Sequence, residues 1–237
     1  MTDRLDPARL DELWDFADAA ASADRFRAEI ASAPPVAADE LRTQLARALG
    51  LAGRGDDADV LLDSIASDDL AVRARVALER GRRRNSSGHP EEAVPQFEQA
   101  LELAQGAHDD FLAADALHML AIADSAGPAE WAARGVALAE ASADPRTHRW
   151  LIALHNNLGW LHHDTGRYPE ALAEFEAADA AAHAHGSTEQ QQIAQWAVAR
   201  ALRSLGRRDE ARAIQERLAV LRPDDDYVRE ELEALKE

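Results

Sequence analysis

The sequence predicts an all-α solenoid, in which antiparallel helix pairs stack in series. Three observations carry this. Alanine occupies 53 of the 237 positions, in a chain that is 46% hydrophobic. It is the best helix former and fills little space, so a core rich in it needs closely approaching helices. Aromatic residues are only 5% and β-branched residues are sparse, which argues against sandwiches and barrels. Finally, a glycine followed at fixed intervals by a small residue, a bulky one and another small or apolar one recurs along the chain. Its turn glycines, Gly53, Gly88, Gly127, Gly166 and Gly206, are spaced by 35, 39, 39 and 40 residues, a period that signals stacked repeats.

The elements follow in chain order. Residues 7–33 read as a degenerate pair, with Leu10, Leu13, Trp14 and Ala17 on one helical face and Phe26 and Ile30 behind them. Pro34-Pro35 separates this pair from the rest. Five pairs are predicted next: 39–52 with 56–66, 74–86 with 90–105, 111–125 with 129–142, 148–165 with 168–184, and 188–205 with 208–221. Gly88, Gly166 and Gly206 end first helices, where a left-handed C-cap strains any residue with a Cβ. Pro90 and Pro169 open second helices, where a missing N–H leaves no bond unmade. Gly159, Ala171 and Ala178 let paired helices approach, and Leu158 and Phe175 fill the space beside them. From Asp224 onward, an acidic helix bearing Tyr227, Val228, Leu232 and Leu235 caps the stack. Its leading aspartates suit the positive end of a helix.

The fullest unit keeps Leu158, Gly159, Gly166, Tyr168, Ala171, Phe175 and Ala178 in one register, and it resembles the tetratricopeptide repeat. It departs from that pattern at His155 and His162, where Trp and Tyr are usual. The last unit keeps Pro223 at the closing position. The resemblance divides the chain into a degenerate pair at 1–38, repeats at 39–72, 74–107, 113–146, 152–185 and 192–225, and a capping helix at 226–237. The wide spacing implies longer helices than the usual repeat of about 34 residues contains.

The resemblance also implies that the solenoid is a right-handed superhelix whose first helices line a concave groove, with the second, fifth, ninth, twelfth and thirteenth repeat positions facing inward. Those positions hold Glu40, Thr43, Arg47, Gly50 and Leu51, then Arg75, Leu78, Arg82, Asn85 and Ser86. Next come Ala114, Leu117, Ala121, Asp124 and Ser125, then Ala153, Asn156, Trp160, His163 and Asp164. Ile193, Trp196, Arg200, Arg203 and Ser204 complete the set. The candidate ligand residues among them are Arg47, Arg75, Arg82, Asn85, Leu117, Asp124, Asn156, Trp160, His163, Trp196, Arg200 and Arg203. Arginine presents a planar fork to carboxylates or phosphates, Trp a flat apolar platform, and Asn both a donor and an acceptor for extended backbone. In a chain of net charge −18, such a set suits an acidic peptide or a small anionic ligand. The competing reading is that these arginines pair with neighbouring carboxylates. Some relatives grip chaperone C-termini with a clamp of Lys, Asn and Arg. Here Asn157 falls on its central position, but Leu117, Ala121, Ile193 and Ala197 occupy the flanking ones, so that clamp is absent.

Other function classes are disfavoured. An acidic surface repels phosphate backbones. On a helix, the run Arg80-Gly81-Arg82-Arg83-Arg84-Asn85 splits around the cylinder instead of forming one basic patch. No apolar run is long enough to span a bilayer, and Met1-Thr2-Asp3-Arg4-Leu5-Asp6 lacks the apolar core of a leader. Cysteine is absent, which removes disulfides and thiolate chemistry. His162-His163 and His183/His185 do not share helical faces, and no metal or cofactor is expected. The one groove grouping suited to acid–base work is His163 with Asp164 and Asp124. No phosphate loop or nucleophile elbow accompanies it. Lys236 is the only lysine, an Arg/Ala bias typical of a high-GC bacterial genome. The expectation is a non-catalytic cytoplasmic scaffold that holds an acidic peptide or protein segment. A sensor of a small anionic ligand is the first alternative, and an enzyme using His163 the second.

Overall fold

The computed structural model describes residues 4–236, and among them thirteen α-helices and no strand. The leader reading at Met1–Asp3 and the final residue of the capping helix, Glu237, lie outside the described residues. Two compact units divide the chain after Asp124.

The first unit contains α1 (Pro7–Leu13), α2 (Ala19–Ile30), α3 (Pro35–Leu51), α4 (Gly55–Asp63), α5 (Leu70–Ser86), α6 (Pro90–Gly106) and α7 (Asp110–Ala123). Here α3 packs on α2, α4 and α5, while α5 packs on α4, α6 and α7. The helices α3, α5 and α7 therefore lie side by side as one layer, backed by α4 and α6. The second unit contains α8 (Pro128–Ala141), α9 (Trp150–Asp164), α10 (Tyr168–His185), α11 (Thr188–Ser204), α12 (Arg208–Leu221) and α13 (Asp226–Ala234). A short 3-10 turn, Thr147–Arg149, precedes α9. In this unit α9 packs on α8, α10 and α11, α11 packs on α12, and α12 on α13. Within each unit the helices form stacked antiparallel pairs, and the first helices share a face.

Local chemistry places the helix ends. Gly53, Gly88, Gly166 and Gly206 all have φ between 75° and 83°, the left-handed caps that their sequence positions require. Gly127 differs. It is the N-cap of α8 with φ −143°, and α7 ends at an extended Asp124, so the chain crosses between the units without the usual glycine turn. Pro35 opens α3 as its first residue instead of standing outside it. Asp69 caps α5 by accepting from the Ala71 and Val72 N–H groups, which starts that helix before 74. The first helix stops at Leu13, so Ala17 does not share a helical face with Trp14.

Pairs close on a glycine–phenylalanine contact. Phe97 and Phe175 are fully buried. A Cβ added to Gly81 or Gly159 would lie 2.4 Å from the Cε1 of Phe97 or Phe175 respectively. In α11 and α12 the equivalent positions are Ala199 and Gln215. Gln215 is fully buried, and both its amide atoms lack a hydrogen-bond partner. Where the ring is absent, the first helix carries a methyl group instead of a glycine.

Candidate binding faces of the first helices

In the first unit, Arg47 lies on α3, Arg75, Arg82 and Asn85 on α5, and Leu117 on α7, with Asp124 as its C-cap. Five positions expected to face inward are packed away instead: Glu40, Thr43, Leu78, Ala114 and Leu117 are each at most 4% exposed. This face is more closed than the repeat register implies.

Arg82 is saturated. It donates to Glu79 on its own helix and to Asp115 on α7, both carboxylates being buried. Burial disfavours its charge, but Asp115 and then Glu79 outweigh that cost and hold its pKa above the ordinary guanidinium value. Arg75 is less well served. Its Nε lies 3.8 Å from Glu40 Oε1, beyond hydrogen-bonding range, and is buried with no acceptor. Glu40 Oε2 instead accepts the Leu5 N–H at 2.8 Å. Arg47 is partly buried, and its guanidinium carbon sits 5.7 Å from the ring centroids of both Trp14 and Phe16. Burial, and then repulsion from Arg82, depress its pKa.

His118, also on α7, is pushed down to about 4, first by burial and then by Arg82 and Arg47, against the pull of Asp115. The folded unit therefore holds it neutral, whereas the unfolded chain protonates it near 6.5. The unfolded state binds the extra proton between those values, so stability is full above pH 6.5 and falls as pH drops toward 4. The expected loss is roughly 2 kcal/mol across that window, allowing for partial solvent access. Urea unfolding of wild type and His118→Leu from pH 7 to pH 4 tests this. Parallel slopes for the two proteins would reject it.

In the second unit, Asn156, Trp160 and His163 lie on α9, and Trp196, Arg200 and Arg203 on α11. The aromatic rings form a continuous series. Tyr227 meets Trp196 at 6.1 Å, Trp196 meets Trp160 at 6.0 Å, Trp160 meets His163 at 5.3 Å, and His163 meets Tyr168 at 5.1 Å. Both arginines grip one carboxylate, that of Glu231 on α13. Arg200 Nη1 donates to Oε1 at 2.6 Å, while Arg203 donates from Nε to Oε2 at 2.7 Å and from Nη2 to Oε1 at 3.1 Å. Glu231 is only 5% exposed. Trp196 Nε1 donates to the Tyr227 carbonyl at 3.3 Å. Beside it, a mainly apolar pocket of about 300 Å³ is lined by Gln192, Ile193, Trp196, Arg222, Asp225, Tyr227 and Val228.

The acid–base grouping is not assembled as a relay. His163 Nε2 hydrogen-bonds Ser204 Oγ at 2.9 Å, but Asp164 lies 3.8 Å from Nδ1, too far for a hydrogen bond. Asp124 belongs to the other unit. The arginine run on α5 is dispersed: Arg80 faces Asp63 at 2.8 Å, Arg83 faces Asp59 at 3.3 Å and Arg84 faces Glu92 at 3.7 Å. His89, Glu91 and Glu92 bring potential metal-ligand atoms within 4.8 Å of one another. All three are exposed, and carboxylates are favoured at a helix start without any metal.

The competing reading, that these arginines pair with carboxylates, holds for Arg82, Arg200 and Arg203; sequence reasoning did not name Glu79, Asp115 or Glu231, nor the aromatic shelf beside Arg47. One signal was available for Glu231, which stands in the apolar stripe formed by Val228 and Leu232 of α13 and its C-cap Leu235.

Residues 154–178 match the tetratricopeptide repeat family, and no curated protein sequence matches the chain. Several solved structures are similar. A putative kinesin light chain of Podosopora anserina with nearly identical TPR-like repeats shares 21% identity over 77% of this chain and 93% of that one, with a TM-score of 0.57. BtubC (BKLC) from P. vanneervenii shares 16% identity over 90% and 91%, with a TM-score of 0.66. A signal transduction ATPase with numerous domains and a tetratricopeptide repeat sensor, from Pyrococcus horikoshii, shares 13% identity over 94% of this chain and 34% of that one, with a TM-score of 0.70. The shared feature is the fold, a TPR-like helical repeat. Among the described residues, no helix is long and apolar enough to cross a membrane.

Proposed function

We propose that the chain is a non-catalytic interaction scaffold whose first-helix faces hold an acidic peptide or protein segment. The observation that carries this reading is the way α11 already holds one. The acidic helix α13 places Glu231 between Arg200 and Arg203, and the indole of Trp196 donates to its backbone at Tyr227. A carboxylate held by two guanidinium forks, next to an aromatic platform that hydrogen-bonds main chain, is the recognition chemistry an acidic segment needs. The tetratricopeptide repeat match agrees with a protein-binding role.

Titration with a panel of acidic peptides and their lysine-substituted counterparts, read by tryptophan fluorescence, tests the proposal. Acidic members should bind with an affinity that weakens as salt rises, because partly exposed ion pairs are screened over roughly 8–10 Å at physiological ionic strength. Equal or tighter binding of the cationic counterparts would reject it.

A further inference from the structure

Arg47 differs from the other arginines of the first-helix faces. Arg82 has two carboxylates, and Arg200 and Arg203 share one. The Arg47 guanidinium, partly buried, has no ion pair and no hydrogen-bond acceptor among the described residues. The charges that act on it, Arg82 and Arg75 against Glu79 and Asp115, cancel one another, so its own charge and its N–H groups are left without an acceptor. Both oxygen-rich neighbours, Glu79 and Asp115, are turned to Arg82.

The surface beside Arg47 is built with care. Trp14 and Phe16 stack with centroids 4.6 Å apart and planes within 1°, and Trp14 Nε1 is fixed by Gln44 Oε1 at 3.0 Å. The loop carrying them is tied at both ends. Asp15 Oδ1 accepts the Ala17 N–H at 3.0 Å, the Asp15 N–H donates to Ser22 Oγ at 2.8 Å, and Arg25 Nε donates to the Leu13 carbonyl at 2.9 Å. Yet Phe16 remains 66% exposed. A hydrogen-bonded loop that leaves a phenyl ring exposed beside a guanidinium without an acceptor presents two halves of a ligand site. One is an apolar plane, and the other a planar pair of N–H donors.

We infer that Arg47, with the Trp14–Phe16 stack, forms a binding site for an anion whose carboxylate is attached close to an aromatic ring. The carboxylate takes the free N–H groups of Arg47 and the ring packs on the open face of Phe16. A charged ligand head gives these donors an acceptor, and the ring covers apolar surface. The site lies wholly in the first unit and does not depend on the acidic-segment reading, which rests on α11 and α13. Two sources share this chemistry, a free aromatic acid and the aromatic C-terminal residue of a peptide.

Calorimetric titration of the full chain with phenylacetate, N-acetylphenylalanine and N-acetylphenylalaninamide tests the inference. Both acids should bind saturably, and the neutral amide at least about tenfold more weakly, as expected for loss of a charged hydrogen-bonded pair. Arg47→Gln should weaken the acids by a similar factor and leave the amide unchanged. Phe16→Ala removes an exposed side chain and keeps the fold; it should weaken both acids without affecting acetate. Tighter binding of N-acetylphenylalanine assigns the site to a peptide terminus, and tighter or equal binding of phenylacetate to a free acid. Acids and amide binding alike, an Arg47→Gln variant with unchanged affinity, or acetate binding as tightly as the aromatic acids would each overturn the site.

Discussion

Gly159→Leu is expected to destabilise the second unit by roughly 3 kcal/mol or more, at or beyond the upper end of overpacking costs. Even the first carbon of a side chain has nowhere to go. A Cβ on Gly159 would stand 2.4, 2.5 and 3.0 Å from three carbons of the Phe175 ring, and that ring is fully buried. The ring cannot turn aside without opening the α9–α10 pair. Gly159→Ala should therefore cost roughly 1–3 kcal/mol, and Phe175→Leu in the same chain should recover part of it. The two sites touch, so their coupling should be of order 0.5–3 kcal/mol. Urea unfolding followed by circular dichroism gives the four corners of the cycle. A Gly159→Leu protein with wild-type stability, or strictly additive effects of Gly159→Ala and Phe175→Leu, would show that this contact does not hold the pair together.

The same contact shows why the fold was so readable. Glycine on one helix and phenylalanine on the next are chosen by one steric constraint, so they recur together at a fixed distance in sequence. Gly81 with Phe97 and Gly159 with Phe175 obey it, and Ala199 with Gln215 is the relaxed version. Left-handed glycines are equally local, because the backbone angle at Gly53, Gly88, Gly166 and Gly206 depends on the turn alone. Gly127 was misleading because it stands at the same interval but opens α8 instead of closing α7.

The candidate sites were harder to read for a physical reason. Repeat register assigns a side chain to a face one helix at a time, whereas an arginine is answered by whatever lies on neighbouring helices. Arg82 and Asp115 are 33 residues apart and Arg200 and Glu231 are 31 apart, and no local rule joins them. The N-terminal loop is a further case. Trp14 was read as sharing a helical face with Leu10 and Leu13; it does pack with them and against Phe26, but the hydrogen-bonding oxygens of Asp15 and Ser22 turn the chain after Leu13, and the indole donates to Gln44.

Replacing Arg200 and Arg203 together by Ala should release α13, because the Glu231 carboxylate would be left 5% exposed without its three charged hydrogen bonds. Breaking a buried pair by removing one side typically costs about 3–5 kcal/mol. The lower end applies here, since both arginines are partly exposed. Burying Val228 and Leu235 contributes roughly 3–6 kcal/mol, but that gain must also offset the ordering of the nine residues of α13, so with the pair broken its amides should lose hydrogen-exchange protection while those of α9 and α10 keep theirs. Adding Glu231→Leu to the double variant should restore protection, since no charge is then stranded. Unchanged protection of α13 in the double variant would show that the ion pair does not hold the helix. The reciprocal change separates a mere cap from an occupied binding site. Glu231→Gln keeps the side chain's shape but withdraws the anion from two guanidinium groups. If an acidic segment belongs on α11, acidic peptides should bind this variant more tightly than wild type, by about tenfold for each unit of 1.4 kcal/mol returned to the arginines. Equal affinity would leave α13 as a structural cap and move the acidic partner away from α11.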